Sequence, residues 1–123
     1  MKLSEAILLG SIGSEQGFGS ESIFYDSPTK CALGAALLAI GVKACRGDRV
    51  YDQLIGIWPW VNGRVSFLSS FGFAIYKCEG YKIIWRLNDI QKWSRPQIAA
   101  WVATIEPKEV EQPQETTTLV EAA

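Results

Sequence analysis

The sequence predicts a mainly α-helical domain, with α+β as the neighbouring class. It should be a small helical body with a short β-hairpin or irregular insertion at about 57–78 and a disordered acidic C-terminal tail. Three observations predict this. An Ala-rich apolar run, 28–40, lies between Ser27-Pro28 and Gly41. A capping box, Ser94 to Gln97, opens a stripe of Ile98, Trp101, Val102 and Ile105 at i, i+3, i+4 and i+7. Asn62-Gly63, the strongest short hairpin signal, sits between two apolar runs.

The elements follow in order. Ser4 is placed to cap a helix over about 4–12, ended near Gly10 or Gly13. Residues 13–27, with Gly13, Gly17, Gly19 and four Ser, read as a loop in which Ile23-Phe24-Tyr25 suits a brief extended piece. Ser27 then caps and Pro28 takes the first helical position, where its missing N–H costs nothing. Ala32, Gly34, Ala35, Ala36 and Ala39 keep that helix thin, so neighbours can approach it closely, as the central helix of a core requires. Gly47-Asp48 caps a further turn or two over 49–55, with Val50 and Leu54 inward and Tyr51 beside them. Around Asn62-Gly63, residues 57–61 and 64–68 suit paired strands, and Phe71, Phe73 and Ile75 alternate with smaller residues as a strand would. Residues 81–92 turn Ile83, Ile84 and Leu87 inward and Lys82, Arg86 and Lys92 outward. The final helix runs from Ser94 until Pro107 stops it.

At 123 residues the chain suits one domain. Charge divides it: residues 106–123 hold five Glu and one Lys, net −4, while residues 1–105 hold eleven basic and eight acidic groups, net +3. The acidic end also carries Pro107, Pro113 and Thr116-Thr117-Thr118 and has too little apolar surface to offset its ordering entropy. The expected division is a compact domain at 1–106 and a flexible tail at 107–123.

Histidine is absent, which removes the commonest general base and metal ligand. Cys31, Cys45 and Cys78 form no CxxC pair, a poor basis for a disulfide framework or a zinc site, and read as free thiols in a reducing cytoplasm. The apolar start Met1–Gly10 is too short for a signal peptide and is interrupted by Glu5; no apolar run reaches the roughly 18 residues of a membrane span. Asp48 and Asp52, at i,i+4, read as a cap and a solvated face. Gly10–Gly13 and Gly17–Ser20 lack the spacing of a phosphate-binding loop. No enzyme, cofactor, metal or small-molecule substrate is expected.

Two surfaces are candidates for contact. Trp58, Trp60, Trp85 and Trp93 fall outside the helical stripe; exposed together, they would form an apolar patch fit for a protein partner or for self-association. Lys77, Lys82, Arg86, Lys92 and Arg95, interleaved with Tyr76, Tyr81, Trp85 and Trp93, are the candidate contacts for nucleic acid.

Leu3-Ser4-Glu5-Ala6-Ile7 with Gly10, Cys31-Ala32-Leu33-Gly34-Ala35-Ala36 with Ala39 and Gly41, and Leu87-Asn88-Asp89 with Trp93-Ser94-Arg95, Ile98-Ala99, Trp101-Val102 and Ile105-Glu106 form three blocks. This order resembles a group of small bacterial and phage or prophage proteins, over about 105 residues. The resemblance implies a CxxC pair and flanking histidines as a zinc clip; here only Cys78 stands in the middle region, so that clip is lost. Apolar packing by Phe67, Phe71, Phe73 and Ile75 would then hold the middle instead. It implies origin and fold but no reaction. Leu87-Asn88-Asp89 itself reads as a structural corner.

The expected function is a non-enzymatic, phage-related interaction or structural protein in the bacterial cytoplasm or virion, acting by protein–protein contact and self-associating. The alternative is a weak nucleic-acid-binding accessory protein using 77–95.

Overall fold

The structure, a computed structural model, describes residues 1–68 and 75–108. Among them it is mainly α-helical. The helices are α1 (Leu3–Ile12), α2 (Ala32–Ala39), α3 (Val50–Ile57), α4 (Gly80–Asp89) and α5 (Arg95–Ile105). Short pairs of strands join them: β1 (Glu15–Gln16) runs parallel to β2 (Thr29–Lys30), and β3 (Arg64–Leu68) antiparallel to β4 (Ile75–Glu79). Two 3₁₀ turns, Ser20–Ile23 and Pro59–Asn62, complete the order.

The thin helix is central, as its composition predicts. Ala32 to Leu37 of α2 are all buried, and α1, α4 and α5 pack around them. The approach of α1 is limited by backbone alone. A Cβ on Gly10 would lie 1.8 Å from the Ala35 carbonyl oxygen, so no larger residue fits at that crossing. Gly34 is equally constrained, its missing Cβ falling 2.3 Å from the Ser22 carbonyl oxygen. Leu3, Ile7, Leu54, Ile83, Ile84, Leu87, Ile98 and Val102 fill the core around this crossing.

Several expected boundaries move, each for a tertiary reason. Ser4 does not cap α1; it lies buried in the first turn, and its N–H (3.1 Å) and hydroxyl both donate to the Glu106 carboxylate. That carboxylate, delivered by the end of α5, sits where a helix N-terminus favours negative charge. Ser27-Pro28 does not start α2. Thr29 and Lys30 are taken into the pairing with β1, and Cys31 caps instead, its sulfur accepting from the Gly34 N–H at 3.3 Å. Ile23 ends a 3₁₀ turn rather than lying extended.

Asn62-Gly63 is not the hairpin turn. Residues 59–62 form a 3₁₀ turn led by Pro59, and 64–68 pair with 75–79, so the hairpin closes further along the chain. Phe71 and Phe73 lie outside the described residues, as does the segment 109–123. Phe67 does pack as expected. It is buried, with edge-to-face contacts to Trp93 at 5.7 Å and Trp101 at 5.5 Å between ring centres. The capping box of α5 forms as written, the Ser94 hydroxyl accepting from the Gln97 N–H at 3.2 Å and the Gln97 side chain from the Ser94 N–H at 3.0 Å. Among the described residues no helix is long and apolar enough to cross a membrane.

Candidate functional site

The four candidate tryptophans do not share a surface. Trp58 is buried, its indole N–H donating to the Met1 carbonyl at 3.0 Å, so its polar edge is occupied within the fold. Trp60 is half-buried and lies against Gly80 at the start of α4; Trp93 is half-buried against Phe67. Trp85 alone of the four is exposed, at 41 %. A patch made of all four is therefore corrected to a single exposed indole.

The basic candidates also part company. Lys77, Lys82, Arg86 and Lys92 are exposed. Lys82 pairs with Glu79 at 3.3 Å, and Lys92 lies over the Phe18 ring, 4.2 Å from its centre. Lys92 reaches that place from a left-handed backbone (φ 58°) that turns the chain from α4 into α5.

Arg95 overturns the expectation outright. It is buried, and its guanidinium donates to the Ser14 hydroxyl (2.8 Å) and to the carbonyls of Ser14 (2.5 Å), Ser11 (3.3 Å) and Lys30 (3.3 Å). A rigid fork of five donors suits a cluster of backbone carbonyls at a helix end and a strand end. Burial is the main influence on the guanidinium, pulling its pKa below the ordinary value. The residue fastens α5 to the loop after α1 and cannot reach a nucleic-acid backbone.

Asn88 is the second buried fastening. Its Oδ1 accepts from the Ala32 N–H (3.2 Å) and from Gln16 Nε2 (3.0 Å); its Nδ2 donates to the Gly17 carbonyl (2.9 Å) and the Asp89 carboxylate (2.7 Å). The three sequence blocks thus meet in space: Gly10 on Ala35, Ser4 on Glu106, Asn88 on Ala32. The expectation that Leu87-Asn88-Asp89 makes a structural corner matches this geometry.

A site does form elsewhere. Tyr81 and Trp85 stand one turn apart on α4, and Tyr51 of α3 and Ser20 of the first 3₁₀ turn face them across a cleft of about 340 Å³, with Lys82 on its rim. Tyr51 and Tyr81 meet edge to face, 5.3 Å between centres at 72°. The Lys82 ammonium lies 6.0 Å from the Tyr81 ring centre. Burial of part of Tyr51 is the main cause raising its phenol pKa, so its hydroxyl keeps its proton at neutral pH. Cys31 and Asn88 line a separate, much smaller pocket that shares Ser20, Tyr51 and Trp85 with the cleft. Burial pushes the Cys31 thiol above its ordinary pKa, the opposite of what a nucleophile needs.

Sequence reasoning had Trp85 and Lys82 but missed Tyr51, Tyr81 and Ser20 as a group. The i,i+4 spacing of Tyr81 and Trp85 is a legible signal; Tyr51 and Ser20 join only through the packing of α3 and the 3₁₀ turn. No group of three or more Cys, Asp or Glu capable of holding a metal ion occurs among the described residues. Comparison with protein-family models, curated proteins and solved structures gives no match to this chain.

Proposed function

We propose that this protein is a non-enzymatic interaction module that contacts a protein partner through the aromatic cleft between α3 and α4. One observation carries the reading. Tyr51 and Trp85, both about 40 % exposed, share a concave surface with Tyr81, and aromatic residues in a concave surface are the residues that most often anchor protein contacts. Support for a non-enzymatic role is chemical. The chain has no histidine, the Lys82 ammonium is engaged by Glu79, and the Cys31 thiol is buried. A phage-related origin belongs to the same proposal and rests on the three sequence blocks alone.

The nucleic-acid reading is less well supported, because one of its five cations is withdrawn into the core and two more already serve Glu79 and Phe18. The test is retention of host proteins on the immobilised full chain, wild type against Tyr51→Ala with Trp85→Ala. Both forms are first shown to be folded by circular dichroism. Partners held by wild type and lost by the double variant support the proposal. Equal retention by both overturns it, as does tight oligothymidylate binding that weakens with the same substitutions. Light scattering shows whether the partner is a second copy.

A further inference from the structure

We infer that a second copy of this chain docks on the outer face of the α1–α5 pair, with the two α1 helices antiparallel across a two-fold axis. The aromatic cleft between α3 and α4 takes no part in this contact.

The first observation is that α1 is apolar on both faces. Leu3, Ala6, Ile7 and Gly10 face the core and are buried. Leu8, Leu9 and Ile12, on the opposite face, are 45 %, 48 % and 83 % exposed. A surface helix normally turns charged and polar residues outward, and a helix apolar all round is normally covered on all sides. Single exposed aliphatics are ordinary; three within two turns make a patch.

The patch continues onto α5. The two helices run antiparallel, because Ser4 meets Glu106 at one end and Arg95 meets the Ser11 and Ser14 carbonyls at the other. Leu8 and Ile12 follow Ser4 at i+4 and i+8, along the flank turned toward α5. To these α5 adds Pro96, Ala100 and Ala103, all exposed and spaced i, i+4 and i+7. No charged residue lies between Pro96 and Ile105, and Glu5 is the only one between Leu3 and Ser14. Depletion of charge at the centre is the compositional mark of a contact surface.

Charge at the two ends selects the occupant. Lys2 stands before α1 and Glu15 after it, and among the described residues neither is in an ion pair. Antiparallel packing of α1 on a second α1, about the Leu8–Leu9 midpoint, brings each Lys2 to the end that carries the partner's Glu15. A parallel arrangement would set like charges together. The neighbouring charges are engaged within the fold: Glu5 accepts from the Lys2 N–H at 3.1 Å, Glu106 accepts from Ser4, Arg95 donates to buried carbonyls, and Lys92 lies over the Phe18 ring. Lys108 is exposed at the Lys2 end and has the same sign. An apolar middle between ends of opposite sign is complementary to itself under a two-fold, as an isologous contact requires. The helix pair is about 15 Å long and about 20 Å across, a face of about 300 Å² in plan. That is small beside the roughly 800 Å² per partner of a standard interface, so the dimer is weak and reversible.

Sedimentation velocity on the full chain from about 5 to about 500 µM, the range in which weak dimers form, tests this. The expected result is a reversible monomer–dimer equilibrium, weakened on the order of tenfold by Ile12→Lys. Lys2→Glu and Glu15→Lys should each weaken it several-fold, and the two together should restore it, because the exchange rebuilds the same pairs reversed. Circular dichroism first shows that each variant is folded. A chain that stays monomeric throughout overturns the inference. So does a dimer that Ile12→Lys leaves intact, or one that the double exchange weakens as much as its two halves combined. A dimer lost with Trp85→Ala but kept with Ile12→Lys seats the second copy in the cleft instead; it overturns this inference and supports the cleft reading.

Discussion

Replacing Asn88 by Asp tests whether the buried amide fastens the fold as the geometry requires. The two side chains are nearly isosteric, so packing is held constant and only hydrogen bonding changes. The orientation of Asn88 is fixed by backbone: the Ala32 N–H needs an acceptor and the Gly17 carbonyl needs a donor. An ionised Asp keeps the first contact and loses the second. It also sets a negative charge against the Asp89 carboxylate, to which Asn88 now donates at 2.7 Å. Leaving the buried Gly17 carbonyl without a partner costs about 1–3 kcal/mol, and losing the bond to a charged group about 1.5–3 kcal/mol. The sum is about 2.5–6 kcal/mol at neutral pH, a large part of the stability of a small domain.

A proton on the new carboxyl restores one donor and removes the repulsion. Burial and Asp89 both favour the neutral form, so the folded-state pKa of the introduced group lies above its unfolded value near 4. Its contribution is therefore most favourable below that unfolded pKa and is lost as pH rises through the folded one. Urea unfolding of wild type, Asn88→Asp and Asn88→Ala at pH 4.5 and 7.5 measures this. Relative to wild type, the Asp variant should be less destabilised at pH 4.5 than at 7.5, and the Ala variant nearly equally at both. An Asp variant within about 1 kcal/mol of wild type at pH 7.5, or one without a pH slope relative to Ala, refutes the reasoning.

Further outcomes follow from the other close contacts. Arg95→Met removes two short charge-assisted bonds and should cost about 3 kcal/mol in urea unfolding, whereas a surface cation would cost under about 0.5. Gly10→Ala must push α1 from the Ala35 backbone; a loss of about 1–3 kcal/mol or more in the thermal midpoint analysis is expected, although Ala is the better helix former. Ser94→Ala should cost about 1 kcal/mol by the same measurement, through loss of the α5 cap. Native-state alkylation at pH 8, read by peptide mass spectrometry, should spare Cys31 and modify the more accessible Cys45. Stability should also fall as pH rises through the elevated folded-state pKa of Cys31, and Cys31→Ser should remove that part of the alkaline loss.

What the sequence determined was local. Ser94 and Gln97 cap α5 as their spacing predicts, because a capping box needs only one turn of backbone. Gly41 ends the central helix region with φ 82°, a conformation glycine adopts without strain. The small residues of α2 are buried, and the closest approaches to that helix are of backbone: Gly10 on Ala35 and Gly34 on Ser22. Position in space was another matter. Glu106 reaches Ser4 across 102 residues, and no neighbour of Ser4 announces that its first-turn amide is already served. Lys30 entered a strand, and not a helix, because Glu15 and Gln16 lie beside it in the fold. Arg95 read as a surface charge because its carbonyl partners come from Ser11, Ser14 and Lys30. The cleft is likewise tertiary: α4 alone spaces Tyr81 and Trp85, but Tyr51 and Ser20 close it only once α3 and the 3₁₀ turn pack beside that helix. Capping and turn preferences act within one turn of chain and can be read from adjacent residues, whereas burial and hydrogen-bond partnership depend on which distant segments the collapsed core brings into contact.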